Sequence, residues 1–135
     1  MNIQESLKQV LASKKLFGTQ FYENFFGRCP EVRKYFEHVN IDRQAVLLTM
    51  ALLVIEKQYS QPFAAAEEYL KYLGSKHHEW KSPKRLYSDW TEAMIVTLRQ
   101  FHRGDWDESL EQNWREAIGK VVEHMFQGYE QHYSV

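Results

Sequence analysis

Apolar side chains recur along this chain at the three- and four-residue spacing of α-helices. No stretch of the sequence alternates apolar and polar residues as a half-buried strand would. Asn2 with Glu5 is the capping pattern of a first helix, which carries Leu7, Val10 and Leu11. A second helix has an aromatic face made of Phe17, Phe21, Tyr22, Phe25 and Phe26. It ends before Cys29-Pro30, because proline disfavours the helical conformation in the residue that precedes it.

The middle of the chain predicts a short helix and then a long one. Pro30 opens one or two helical turns that reach Phe36, since the missing proline N–H is not needed at a helix start. Asn40 is a good N-cap for a helix from Ile41 to about Tyr59. The apolar residues of this helix cover more than one stripe, so we expect it to be well buried. They are Leu47, Leu48, Ala51, Leu52, Val54 and Ile55.

The next predicted helix begins near Ser60 and Pro62 and contains His77. His77 shares one helical face with Ala66, Leu70 and Leu73, which precede it at helical spacing. We therefore expect His77 to point into the interior. His78 lies about 100° further round the helix and should face elsewhere.

Two more helices complete the pattern. Ser82-Pro83 predicts the start of the first, and Gly104 predicts its end. Asp107 is a suitable N-cap for the second. The apolar stripes are Leu86, Trp90, Met94, Leu98 and Phe101 on one, and Leu110, Trp114, Ile118, Val121, Met125 and Tyr129 on the other. The sequence thus predicts an all-α domain of six to seven helices, either an up-down bundle or a globin-like packing, and the unequal helix lengths favour the second.

The composition of the chain argues against some classes of function. The chain has 135 residues and fits one domain over 1–135. Its 17 basic and 18 acidic residues give a net charge of −1, which argues against a nucleic-acid partner and gives no reason to expect a membrane one. Cys29 is the only cysteine, so an intrachain disulfide and a cysteine-cluster metal site are excluded. We interpret Cys29 as a small packed residue. With no signal-peptide pattern at the N-terminus, we expect a cytoplasmic protein.

Three motifs stand out along the chain. The first is Phe21-Tyr22-x-x-Phe25-Phe26-x-x-x-Pro30-Glu31-Val32-x-x-x-Phe36. The second is Asn40-Ile41-Asp42-Arg43-Gln44 with Leu48. The third is Leu73-Gly74-x-x-His77, with Tyr87 ten residues later. Together, in this order and at these separations, the motifs resemble the globin family, in particular bacterial single-domain globins and the haem domain of flavohaemoglobins. The resemblance covers nearly the whole chain.

The resemblance implies a haem b cofactor and assigns roles to particular residues. His77 would coordinate the iron, and Tyr87 would lie beside it. Tyr22 and Gln44 would face the opposite, distal side, where Arg43 competes with Gln44 for the assignment. Leu48 would lie over the iron and Phe36 would stack on the porphyrin. Phe25, Leu73 and Met94 are further wall residues, and Lys76 or Arg85 are candidates for the propionates.

The implied function is reversible binding of a diatomic gas, with O2, NO or CO as ligands, as in oxygen transport. An enzymatic variant is NO dioxygenation to nitrate, which needs an external reductase because no flavin or NAD domain follows the last helix. Flavohaemoglobins carry an acid on the last helix that polarises the proximal histidine. The matching position here is Tyr129, with Glu130 adjacent, so we expect a less anionic His77.

Two other interpretations remain open at this stage. The protein could be a haem-based gas or redox sensor, which would need a partner because the sequence has no output domain. It could also be a haem-free interaction module of globin shape, with His77 as an ordinary core histidine. The oligomeric state is not determined by the sequence. We expect the remaining histidines, at positions 38, 78, 102, 124 and 132, at the surface, with His38 near enough to the pocket to be a second ligand.

Overall fold

The computed structural model describes residues 1–130 and shows six α-helices. They are α1 (Ile3–Leu11), α2 (Lys14–Arg28), α3 (Ile41–Ser60), α4 (Ala64–Glu79), α5 (Arg85–His102) and α6 (Glu108–Tyr129). Two short 3₁₀ helices, Pro30–Phe36 and Arg103–Asp105, lie between α2 and α3 and between α5 and α6. No strand occurs among the described residues. The prediction of an all-α domain is therefore confirmed.

Three helices begin at the N-caps that the sequence predicts. The side chain of Asn2 accepts a hydrogen bond from the Glu5 amide at 2.9 Å. Asn40 accepts one from the Arg43 amide at 3.1 Å, and Asp107 accepts one from the Leu110 amide at 2.7 Å. Each cap satisfies an amide that has no partner within its helix.

The predicted starts of α4 and α5 are each a few residues early. α4 begins at Ala64, beyond Ser60 and Pro62, and α5 begins at Arg85 instead of at Ser82-Pro83. After α4 the chain turns back on itself, and Lys81 adopts a positive φ of 60°. The Ser82 amide donates to the carbonyl of His77 at 3.0 Å, so residues 80–84 close α4 before α5 can begin.

The helices cross at small residues. A side chain on Gly18 of α2 would overlap Ala45 of α3, so these helices touch at that crossing. Likewise Gly74 of α4 faces the Met125 carbonyl of α6, and Gly128 of α6 faces the Lys71 carbonyl of α4. α4 packs along α6, and α2 packs against both α3 and α5. In the described part of the chain, α3 and α4 do not form a comparably close pair, although they are consecutive.

The long helix α3 is buried on one stripe only, which corrects the expectation that it is well buried. Leu48, Leu52 and Ile55 are buried against the neighbouring helices. Leu47 and Val54 are 54% and 38% exposed, and Ala51 is also exposed. The helices that pack against α3 are α1, α2 and α6. Among residues 1–130, no single helix is long and apolar enough to cross a membrane; the one pair of helices that together pass this test, Pro30–Phe36 with α3, is bent by 106°.

The exposure of the histidines differs in part from the prediction. His38 and His78 are exposed, as expected. His102 is 5% exposed, so its surface assignment is wrong. Its Nε2 lies 2.6 Å from Ser6 Oγ, which also accepts a hydrogen bond from Trp114 Nε1 at 3.0 Å. This polar bridge links α1, α5 and α6 inside the core. His124 is half-buried, and His132 lies outside the described residues.

Candidate functional site

α4 holds His77 in one tautomer. The side chain is half-buried, and its Nδ1 lies 2.8 Å from the carbonyl oxygen of Leu73, one turn earlier on the same helix. A carbonyl oxygen can only accept, so Nδ1 carries the proton and donates it. In the neutral ring the lone pair is then on Nε2, the atom that would bind a metal. The geometry thus orients the imidazole.

Tyr87 of α5 packs beside His77, and Tyr129 of α6 packs against the neighbouring His78. The ring centroids of His77 and Tyr87 are 6.2 Å apart, and the hydroxyl oxygens of the two tyrosines are 3.1 Å apart. Tyr129 also donates to the carbonyl oxygen of Ser82 at 2.7 Å. Burial, and then the hydrogen bond to Tyr129, raise the pKa of Tyr87. Burial raises the pKa of Tyr129, and the hydrogen bond from Tyr87 offsets part of that rise. Both hydroxyls therefore keep their protons at neutral pH.

A second polar pair lies at the crossing of α2 and α3. Tyr22 follows Gly18 by one helical turn, and Gln44 precedes Ala45, so the contact of Gly18 with Ala45 brings the two side chains together. Burial raises the pKa of Tyr22, and a hydrogen bond from Gln44 lowers it by a smaller amount. Tyr22 is only 5% exposed.

Arg43, the competing distal assignment, has an exposed side chain, while its backbone amide is used in the Asn40 cap. The structure therefore places Gln44, and not Arg43, beside Tyr22.

Aromatic rings surround Tyr22. The Phe36 ring lies 5.3 Å from that of Tyr22 and 5.5 Å from that of Phe26. Leu48 on α3 is 4% exposed and Leu73 on α4 is half-buried. Phe25 and Met94 belong to the same continuous apolar cluster as Phe21 and Leu98, and they are as buried as ordinary core residues. The predicted wall residues are thus apolar and buried or half-buried.

The two candidate rim cations each have an acidic partner. Lys76 lies 3.2 Å from Glu79. Arg85 makes a two-pronged ion pair with Glu31, and its hydrogen bonds are the main reason that the pKa of Glu31 falls to about 2. The Cys29 thiol donates to Glu31 at 3.2 Å, and mainly burial raises the pKa of that thiol to about 11. Cys29 is therefore a packed thiol and not a nucleophile, as interpreted from its sequence context.

Comparison with known proteins decides the family. The family model described as Globin matches residues 19–125, which is most of the chain. This chain belongs to the globin family. No curated protein matches it. Globins generally bind haem and, through it, a small gaseous ligand.

The residues of this globin fit a haem. Within residues 1–130, no three histidine, cysteine or acidic side chains come together to hold a bare metal ion. A single histidine ligand suits an iron that takes four of its ligands from a porphyrin. His77 has its Nε2 lone pair available, since the proton is held at Nδ1 by Leu73. α3 and α4, which carry Gln44 and His77, are not closely packed against each other.

Two features of the site were not predicted from the sequence. The Ser82 carbonyl accepts a hydrogen bond from Tyr129. It is a backbone group in a turn, so no residue type in the sequence signals it. The contact of Gly18 with Ala45 sets the register of the distal pair. The signal that could reveal it is Gly18 itself, because a glycine inside a helical pattern usually has a packing reason.

Proposed function

We propose that this globin binds haem b with His77 as the iron ligand and takes a diatomic gas, O2 or NO, on the opposite side. The observation that best supports the proposal is the hydrogen bond from His77 Nδ1 to the Leu73 carbonyl oxygen, at 2.8 Å. It fixes the tautomer, orients the ring and leaves Nε2 as the ligating atom. Such an outer hydrogen bond on a ligating histidine also raises its basicity toward a metal.

The distal residues would act on the gas ligand. Haem supplies, when bound, an iron with one position open to a diatomic gas. Tyr22 and Gln44 would donate hydrogen bonds to a ligand that acquires partial negative charge, and such charge-assisted bonds are the stronger ones. The Gln44 side chain would also orient the Tyr22 hydroxyl, because it lies near enough to lower the pKa of that hydroxyl. Leu48 and Phe36 would exclude water from this side.

The proposal is tested by absorption spectra of the purified protein as isolated, after reduction, and after reduction with CO. We expect an intense violet band that shifts on addition of CO. The His77→Ala variant should lose or loosen haem. The matched control is His78→Ala, because His78 is the next residue on the same helix and is exposed.

Three results would contradict parts of this proposal. A colourless protein that does not take up haemin would leave a globin-shaped interaction module. Equal loss of haem in the two histidine variants would exclude His77 as the specific ligand. A low-spin spectrum in every unliganded state would indicate a second protein ligand at the gas position, and His38 would then be the first residue to replace.

The same site would support NO dioxygenation when an outside reductase returns electrons to the iron. The feature that favours this reaction is the buried Tyr22 side chain with Gln44 beside it, because a firmly held O2 is the form that NO consumes. The test is the nitrate formed per haem when oxygenated protein meets repeated additions of NO with a reductase and NADH. Many nitrates per haem are expected of an enzyme, and a single nitrate per haem would restrict the function to gas binding.

A further inference from the structure

Tyr22, Phe26 and Phe36 pack against one another as a closed triangle of aromatic rings. The ring centroids of Tyr22 and Phe26 are 5.7 Å apart, those of Tyr22 and Phe36 are 5.3 Å apart, and those of the two phenylalanines are 5.5 Å apart. Tyr22 is buried, whereas the two phenylalanines are half-buried. Tyr22 thus lies on the inner side of two rings that are themselves partly open to solvent.

Arg33 covers one face of Phe26. Its guanidinium carbon is 4.9 Å from the centroid of the Phe26 ring, which is the geometry of a cation–π contact. The Arg33 side chain is exposed, and within residues 1–130 it forms no ion pair with a carboxylate. The contact with Phe26 is therefore the interaction that the structure gives to this charge.

The 3₁₀ helix that precedes α3 carries both Arg33 and Phe36. Residues three apart in a 3₁₀ helix are eclipsed, so these two side chains lie on one side of it and both reach Phe26. The first turn of the same helix is held by Glu31, whose carboxylate accepts a hydrogen bond from Arg85 of α5 at 2.8 Å. The segment is thus held by α5 at its start and by α2 at its end.

We propose that Arg33 is a positioning residue for the Tyr22 hydroxyl and acts through the ring of Phe26. This inference rests on the proposed binding of a gas ligand beside Tyr22. A hydrogen-bond donor in a binding site is effective when the packing around its side chain fixes one rotamer. Without the guanidinium, the half-buried Phe26 has an uncovered face and room to turn away from Tyr22. Loss of Arg33 would then weaken the hydrogen bond to the ligand while the donor itself remains.

Lys34, the next residue, offers a matched control. Its Nζ lies 5.2 Å from the centroid of the Tyr35 ring, and both side chains are exposed. Lys34→Gln removes the same charge and the same kind of contact from the same 3₁₀ helix, but the ring that it uncovers is not part of the triangle. The comparison separates positioning of Tyr22 from a general effect on this helix.

The test is the rate of O2 dissociation from the haem-loaded protein, measured by stopped flow. Arg33→Gln should speed dissociation about two- to fivefold, which is the size expected of an exposed cation–π contact. Lys34→Gln should leave the rate unchanged. In a Tyr22→Phe background, Arg33→Gln should have no further effect, because the hydroxyl that it positions is absent. CO dissociation should be unchanged, since bound CO acquires less negative charge than bound O2 and gains less from a donor.

A second measurement does not depend on ligand exchange. The ring signals of Tyr22 in the NMR spectrum of the CO-bound protein are identified by their absence from Tyr22→Phe. They should shift in Arg33→Gln and stay in place in Lys34→Gln.

Four results would overturn the proposal: an unchanged O2 rate in Arg33→Gln, an equal change in Lys34→Gln, an effect of Arg33→Gln that persists without the Tyr22 hydroxyl, or unmoved Tyr22 signals. Equal acceleration of O2 and CO would also overturn it and would make Arg33 part of a gate for gas passage. Failure of the wild-type protein to bind haem would instead refute the proposed function, so the two failures are distinguishable.

Discussion

In this globin α4 and α6 cross with their backbones in contact, and replacing Gly128 with alanine tests this contact. A Cβ at position 128 would overlap the backbone carbonyl of Lys71, and Gly74 stands in the same relation to Met125. Neither glycine has a positive φ, so the backbone conformation itself accepts alanine. The substitution therefore changes packing and helix propensity alone.

The magnitude follows from these two opposing effects. Alanine favours the helix over glycine by about 1 kcal/mol. Forcing a methyl group into a packed contact costs roughly 1–3 kcal/mol, and a backbone carbonyl cannot rotate away as a side chain can, so the upper end of about 3 kcal/mol applies. We expect a net loss of about 2 kcal/mol in the free energy of unfolding. For a domain of this size, that lowers Tm by roughly 6–12 °C.

The assay is urea denaturation followed by far-UV circular dichroism, with Gly119→Ala as the control on the same helix. Gly119 is exposed and has open space where a Cβ would lie, so Gly119→Ala should be neutral or stabilising by up to about 1 kcal/mol. The urea midpoint should fall in Gly128→Ala with an unchanged slope. If both variants shift the midpoint alike, α4 and α6 are not in backbone contact and the reasoning is refuted.

Three further predictions concern single side chains. Tyr22→Phe should speed O2 dissociation from the haem-loaded protein about tenfold, since the lost hydrogen bond is worth about 1.4 kcal/mol, and stopped-flow measurements against Tyr59→Phe check this. Burial lowers the pKa of His102 in the folded state, with a smaller opposing effect of Asp105. The imidazole therefore binds its proton more tightly in the unfolded state than in the folded state. Stability that is present above about pH 6.5, the pKa of an unperturbed histidine, is lost as the pH falls below it. His102→Gln should flatten this dependence of the urea midpoint on pH, and an unchanged slope would exclude His102 as its source. Cys29, with a buried thiol whose pKa is raised to about 11, should resist a thiol reagent at pH ~8 in the folded protein and react at once in urea; fast labelling of the folded form would contradict its burial.

The helix ends that were predicted well are those that depend on neighbouring residues. Asn2, Asn40 and Asp107 each cap a helix through an amide three residues further on, so the whole interaction lies within four residues of sequence. The 3₁₀ helix from Pro30 to Phe36 follows from proline in the same way. The starts of α4 and α5 were both placed early. For α5 the reason is that the turn after α4 closes on the His77 carbonyl and uses residues that the local pattern assigned to the next helix.

Burial was less predictable, because it depends on where other helices lie. Leu47 and Leu48 are adjacent and equally apolar, yet Leu47 is 54% exposed and Leu48 is 4% exposed. His102 and His78 are both helical histidines, and only His102 meets a serine and a tryptophan from two other helices. Helical spacing tells which residues share a face, but not which face another helix covers.

In the candidate site, too, some contacts are local in sequence and others depend on how the helices pack. His77 and its acceptor Leu73 are four residues apart on one helix, so their relation was determined by sequence alone. The pairing of Tyr22 with Gln44 depends on two helices that touch at Gly18 and Ala45. The link from Tyr87 to Tyr129 joins positions 42 residues apart. Local hydrogen bonds and periodicity are encoded within a few residues, whereas the partners of His77 behind and opposite the ring were decided only when the helices packed.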